Sequence, residues 1–186
     1  MKFGDIVEGQ TPDFDIDDWV QNKYLKRHPK LKPLFGKVIK KVKYLKKQRP
    51  GLTFGIWDRG SKKIVLFNQF VKHIEDYEQE SEGRKFLDYD FSHEIGHAVH
   101  STVDETSEYV EKVKELGLEY DDEQEAILPP YYGDQFAKRK SLWSKEAETF
   151  ADLFADLVIK TNYYVGKAPK WVELIKWAAK KNGVSI

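Results

Sequence analysis

Three polar side chains within five residues carry the strongest chemical signal in the chain. They are His93, Glu94 and His97, in the run Ser92-His93-Glu94-Ile95-Gly96-His97-Ala98-Val99-His100. On an α-helix, residues four apart differ by about 40° of azimuth, so both imidazoles reach one point in front of one face. Two neutral imidazoles leave room on a zinc ion for a third protein ligand and a water. Glu94, one residue round from His93, is placed to take a proton from that water as it attacks a carbonyl carbon, rather than to bind the metal. The chemistry implied is metal-assisted hydrolysis of a carbonyl compound.

The spacing is the HExxH pattern of zinc peptidases, and a bare match also arises by chance in helices with two solvated histidines. Its surroundings raise its weight. Phe91, Ile95 and Ala98, with Val99 beside them, fall about half a turn from the histidines and form an apolar back, so the helix packs behind and works in front. Gly96 leaves space beside the metal, and three of the five histidines lie within eight residues. His100 also falls on the metal side, but the longer HExxHxxGxxH pattern fails because position 103 is valine. His100 is therefore expected behind the ligands or at the surface, with the third ligand coming from elsewhere in the chain. The candidate segment is a helix predicted from Trp143 to Lys160, with an apolar arc of Phe150, Leu153, Phe154, Leu157 and Val158 and a polar side of Thr149, Asp152, Asp156 and Lys160. Glu148 shares an edge with Ala151 and Ala155, small residues that let a second helix approach closely, while Glu146 lies at the other edge. Asp152, four residues after Glu148, is placed to hydrogen-bond a ligand histidine from behind.

Together the two segments, His93-Glu94-Ile95-Gly96-His97-Ala98-Val99 and Glu146-Ala147-Glu148-Thr149-Phe150-Ala151-Asp152-Leu153-Phe154, resemble the catalytic domain of anthrax lethal factor and its relatives, among them Pro-Pro endopeptidases and small phage and prophage domains. The resemblance spans about residues 91 to 158. It implies a gluzincin: one zinc per chain on His93, His97 and Glu148, Glu94 as general base, Asp152 behind the ligands, and a peptide or protein substrate. It also implies a tyrosine hydroxyl on the oxyanion. Tyr132, in Tyr132-Gly133, is the match, although it stands sixteen residues before Glu148, farther than the pattern usually places it; Tyr131 is the alternative. The Glu146-Ala147-Glu148-Thr149-Phe150-Ala151 run is also similar to ImmA/IrrE-type regulatory peptidases, an alignment that makes Glu146 the ligand. The resemblance to lethal factor implies an α+β, zincin-like fold with a small twisted sheet in an N-terminal lobe, about 1–103, and a mostly helical C-terminal lobe, about 104–186.

The elements that must position these residues follow from periodicity and turn chemistry. A short helix is expected after Asp13–Asp18, with Trp19, Val20 and Tyr24 facing inward. Pro33 then opens a predicted helix on which Leu34, Phe35, Val38, Ile39, Val42 and Leu45 recur at helical spacing, ended by Pro50-Gly51. Leu52 to Trp57 and Lys63 to Asn68 read as strands joined through Asp58-Arg59-Gly60-Ser61, a hairpin before the metal helix. The second strand is the expected edge for adding an extended peptide. Phe70 to Tyr77 reads as a short helix, the central helix runs from about Lys85 to Val103, and an acidic helix ends at Leu116-Gly117. Leu128-Pro129-Pro130-Tyr131-Tyr132-Gly133 is a stiff turn; it also fits a WW-domain ligand, a pattern too common to carry weight.

A chain of 186 residues suits one domain, and 40% hydrophobic residues argue against disorder. No run approaches the roughly 20 apolar residues of a membrane span, and the opening Met-Lys-Phe-Gly-Asp lacks a signal-peptide core. The expected location is the cytoplasm, a phage particle, or outside the cell by an unconventional route. With no cysteine, any zinc must rest on nitrogen and oxygen. Net charge is zero, yet Trp19 to Trp57 holds twelve Lys or Arg and no acid, while Asp104 to Glu125 holds ten acids. Mutually attracting solvated faces are the expected cause; a nucleic-acid binder and a zinc-bearing module without turnover are the competing functional classes.

Overall fold

The computed structural model describes residues 14–46, 54–77, 81–118, 142–161 and 165–186. They form an α+β arrangement in which helices pack around a long central helix, α4 (Ser81–His100), and a small sheet lies against it. The chain enters through α1 (Ile16–Asp18), capped by Asp15, whose carboxylate accepts from the Asp18 N–H at 2.9 Å. A π-helical stretch, Trp19–Tyr24, leads into α2 (Leu25–Arg27). Trp19, Val20 and Tyr24 are buried as expected, and the Trp19 and Tyr24 rings meet the edge of Phe91 with centroids 5.3 and 4.6 Å away. Polar contacts fix the same surface: the Tyr24 and Ser92 hydroxyls lie 2.6 Å apart, and Arg27 grips Asp88 through Nε and Nη2 at 2.8 and 2.6 Å.

The segment after Pro33 is not the predicted helix. A 3-10 turn, Pro29–Leu34, ends there, Gly36 takes a positive φ of 85° that only glycine adopts readily, and the chain then extends as β1 (Lys41–Leu45). Its burial alternates, with Val42 inward and Leu45 42% exposed, the reverse of what a helical stripe requires. β2 (Gly55–Asp58) and β3 (Lys63–Phe67) form the expected hairpin, and β1 pairs with β3 in parallel, Lys41 opposite Lys63. The order β1-β3-β2 places β3 in the middle. The expectation that Lys63 to Asn68 supplies a free edge is therefore corrected: β1 occupies that side, and the edges are β1 and β2.

α3 (Asn68–Tyr77) follows, then α4, which begins four residues earlier and ends three earlier than its periodicity suggests. α5 (Ser107–Leu116) is capped by Thr106, whose hydroxyl accepts from the Tyr109 N–H at 3.2 Å, and closes at Gly117 with φ 60°, the left-handed C-terminal glycine its sequence predicts. α6 (Leu142–Ile159) crosses α4, and α7 (Pro169–Lys181) buries Trp171, Leu174, Ile175, Ala178 and Ala179 against the assembly. No described helix is long and apolar enough to cross a membrane. The acidic helix α5 is paired by Lys181 on α7, 2.5 Å from Glu108, and Arg59 in the β2–β3 turn forks onto Asp104 at 3.0 Å.

Candidate metal centre

The back of α4 is as its sequence demands: Leu87, Phe91, Ile95, Ala98 and Val99 are fully buried. Beside the histidines α6 packs closely across α4. A β-carbon added to Gly96 would stand 2.7 Å from the Ala151 α-carbon and 3.1 Å from its carbonyl oxygen. Contacts run in opposite chain order along the two helices, His100 with Phe150, Gly96 with Ala151 and His93 with Asp152. Thr149, Asp152 and Asp156, on the polar side of the predicted helix, are buried; Asp152 reaches a histidine of α4 as expected, and Asp156 holds the Thr161 hydroxyl and the Val165 N–H, which lies 3.1 Å away.

This crossing brings His93, His97 and Glu148 together. Nε2 of His93 and Nε2 of His97 lie 3.0 Å apart, Glu148 Oε2 is 3.3 Å from the former, and Glu148 Oε1 is 3.6 Å from the latter. A tetrahedral zinc with bonds of about 2.0–2.1 Å separates its ligands by about 3.3 Å, and these separations lie near that value, the two to Glu148 ending on different carboxylate oxygens. The donor set, two imidazoles and a carboxylate without sulfur, suits zinc. All three side chains keep some exposure, 12, 17 and 19%, enough to leave one side open. Behind His93, Asp152 Oδ1 lies 2.8 Å from Nδ1, which orients the ring and leaves Nε2 for the metal. The Tyr89 hydroxyl donates to the Asp152 backbone carbonyl at 3.3 Å and lies 3.4 Å from Oδ1.

Charge agrees with geometry. Burial alone would push the His93 ring down, but the Asp152 charge and hydrogen bond, with Glu148, outweigh it and hold the ring well above its ordinary value. Burial likewise opposes ionisation of Glu148, and the two histidines overcome it, keeping the carboxyl far below the usual range. Glu94 is different. It is 8% exposed, burial raises its carboxyl above the ordinary value against the pull of His97 and His93, and its Oε2 has no hydrogen-bond partner among the described residues. It faces β2: a β-carbon on Gly55 would come within 3.1 Å of Glu94 Cγ.

Of the other candidates, Glu146 does not join the group; its carboxylate accepts from the Tyr109 hydroxyl at 2.5 Å. His100 is 3% exposed, which corrects its surface reading, and its Nε2 lies 3.1 Å from the same hydroxyl. Tyr131, Tyr132, Gly133 and the paired prolines lie outside the described residues. Asp90, which the sequence reading passed over, stands one turn before His93 with Oδ2 unpartnered among the described residues, and burial pushes its carboxyl up to about 8. Its spacing of three from His93 was the available signal; for Gly55 and Tyr109 there was none, since they arrive from other elements. No family model, curated protein or solved structure matches the chain.

Proposed function

We propose that the chain is a zinc-dependent metalloendopeptidase of zincin-like fold, with His93, His97 and Glu148 as ligands and Glu94 as general base. The observation that carries this reading is the His93–His97–Glu148 group beside the buried Glu94 carboxylate, whose Oε2 has no hydrogen-bond partner among the described residues. A bound zinc supplies Lewis acidity, polarising the scissile carbonyl and bringing the pKa of water towards neutrality. The Glu94 carboxylate takes the proton of the attacking water at its free oxygen and passes it to the departing amine; its raised pKa suits both halves of that transfer. Asp152 keeps the His93 ring in the ligating tautomer. An extended peptide fits along β2, the edge strand beside Glu94, through main-chain hydrogen bonds. Tyr132, or Tyr131, is assigned to the oxyanion by resemblance alone.

The test is cleavage of a proteome-derived peptide library by the full chain, with and without chelator. Chelator-sensitive cleavage is expected, and Glu94→Gln should retain the metal while losing hydrolysis. A zinc-loaded parent that cuts nothing would leave a metal-bearing module without turnover; a Glu94→Gln variant cutting at the parent rate would remove Glu94 as base.

A further inference from the structure

Glu146 and Glu148 are separated by two residues on one helix, hence by about 200° of azimuth, and both reach the surroundings of α4. Glu148 goes to His93 and His97. Glu146 goes the other way, to the Tyr109 hydroxyl on α5 at 2.5 Å, with His100 Nε2 3.6 Å from the same oxygen. The Tyr109 ring is 3% exposed, set at the edge of His100 with centroids 5.5 Å apart and near Trp177 at 6.3 Å. A short bond from a buried hydroxyl to a carboxylate is among the stronger hydrogen bonds available to a protein. It acts two residues before the ligand, in the first turns of α6. From there the chain of contacts continues through His100 to Asp104, 3.9 Å from Nδ1, and so to Arg59 in the β2–β3 turn.

Resting on the zinc reading above, we propose that Tyr109 and Glu146 form a strut between α5 and α6 that fixes the azimuth of α6, so that Glu148 meets the histidines. Glu146 and Tyr109 are thus positioning residues for the metal, and neither binds it. Burial on the far side of α6 from Glu148 makes the strut a lever: a rotation of the helix that lengthens the Tyr109–Glu146 bond swings Glu148 off the histidine pair.

The experiment measures Zn2+ affinity of the full chain by competition with a chromophoric chelator, and the visible spectrum of the Co2+ form, which reports ligand geometry. Tyr109→Phe, Glu146→Ala, Glu146→Gln and the double variant Tyr109→Phe/Glu146→Ala are compared with the parent, each checked by circular dichroism for equal folded content without metal. The strut predicts that Tyr109→Phe and Glu146→Ala each weaken zinc by about tenfold at unchanged one-to-one stoichiometry, with an altered cobalt spectrum. The double variant should lose no more than the larger single loss, because one interaction is removed twice. Glu146→Gln keeps an acceptor oxygen and should stay near the parent. Parent-like affinity and spectra in both single variants, or fully additive losses, would overturn the strut and leave the zinc site standing. A parent that binds no zinc would overturn the metal reading itself.

Discussion

Asp152 shows how much a single atom contributes to the centre. Its Oδ1 sits 2.8 Å from His93 Nδ1, so the ring is held by one nitrogen and offers the other. Glu148→Ala is expected to abolish tight zinc binding, Glu146→Ala to keep one zinc per chain, and Asp152→Ala to weaken affinity by roughly 10- to 100-fold. Zinc titration of the three variants checks this; a metal-free Glu146→Ala beside a loaded Glu148→Ala would reverse the ligand assignment. Protons compete for the same atoms. His93 is held above its ordinary value in the metal-free protein, so its proton stabilises the fold at low pH, and that contribution fades as pH rises through the shifted value. Glu148 is held below its ordinary value, so it contributes above the normal carboxylate range and loses that contribution as pH falls. Zinc must displace the His93 proton, and its apparent affinity should therefore keep climbing with pH beyond the usual histidine range. A plateau of zinc affinity by about pH 6.5 would show that His93 is not held in this way.

Helix crossing is the next determinant. Gly96→Ala places a methyl 2.7 Å from the Ala151 α-carbon, where backbone must move, and should cost about 1–3 kcal/mol by denaturant unfolding of the metal-free chain, together with a loss of zinc affinity. Gly55→Ala meets first the Leu66 and Glu94 side chains, at 3.0 and 3.1 Å. It should keep zinc and lower hydrolysis, so the two glycines separate metal binding from proton transfer. Equal effects of both substitutions on zinc would break that distinction. The crossing was legible in the sequence because the HExxH spacing, the apolar back of α4 and the small residue Ala151 agree; Gly96, read as space beside the metal, instead seats the backbone of Ala151. The hairpin was legible through its Asp-Arg-Gly-Ser turn. The residues 34–45 misled because Val38, Ile39, Val42 and Leu45 satisfy a helical period, whereas the pairing of β1 on β3 is a contact with another segment that local pattern does not encode. Asp152 was legible as the partner of a ligand histidine, whereas Asp156 was not, because the Thr161 hydroxyl and Val165 N–H it holds lie outside α6.

At the level of the whole molecule, the proposed ligands are divided two to one between α4 and α6, with fifty residues between His97 and Glu148. Zinc bound only by the folded chain should raise stability by about 2.7 kcal/mol at a hundredfold excess over Kd, read as a shift in melting temperature that chelator reverses. An unchanged midpoint would argue against a site spanning both helices. The division also sets an order of events. Until α6 has docked across Gly96, the chain offers a metal only the paired imidazoles of one helix, and the carboxylate arrives with that packing. Zinc then acts as a latch closed after assembly: refolding followed by stopped flow should run at nearly the same rate with or without it, while unfolding slows in its presence. Metal supply would thus govern how long a folded molecule lasts, and hardly at all how quickly one is made.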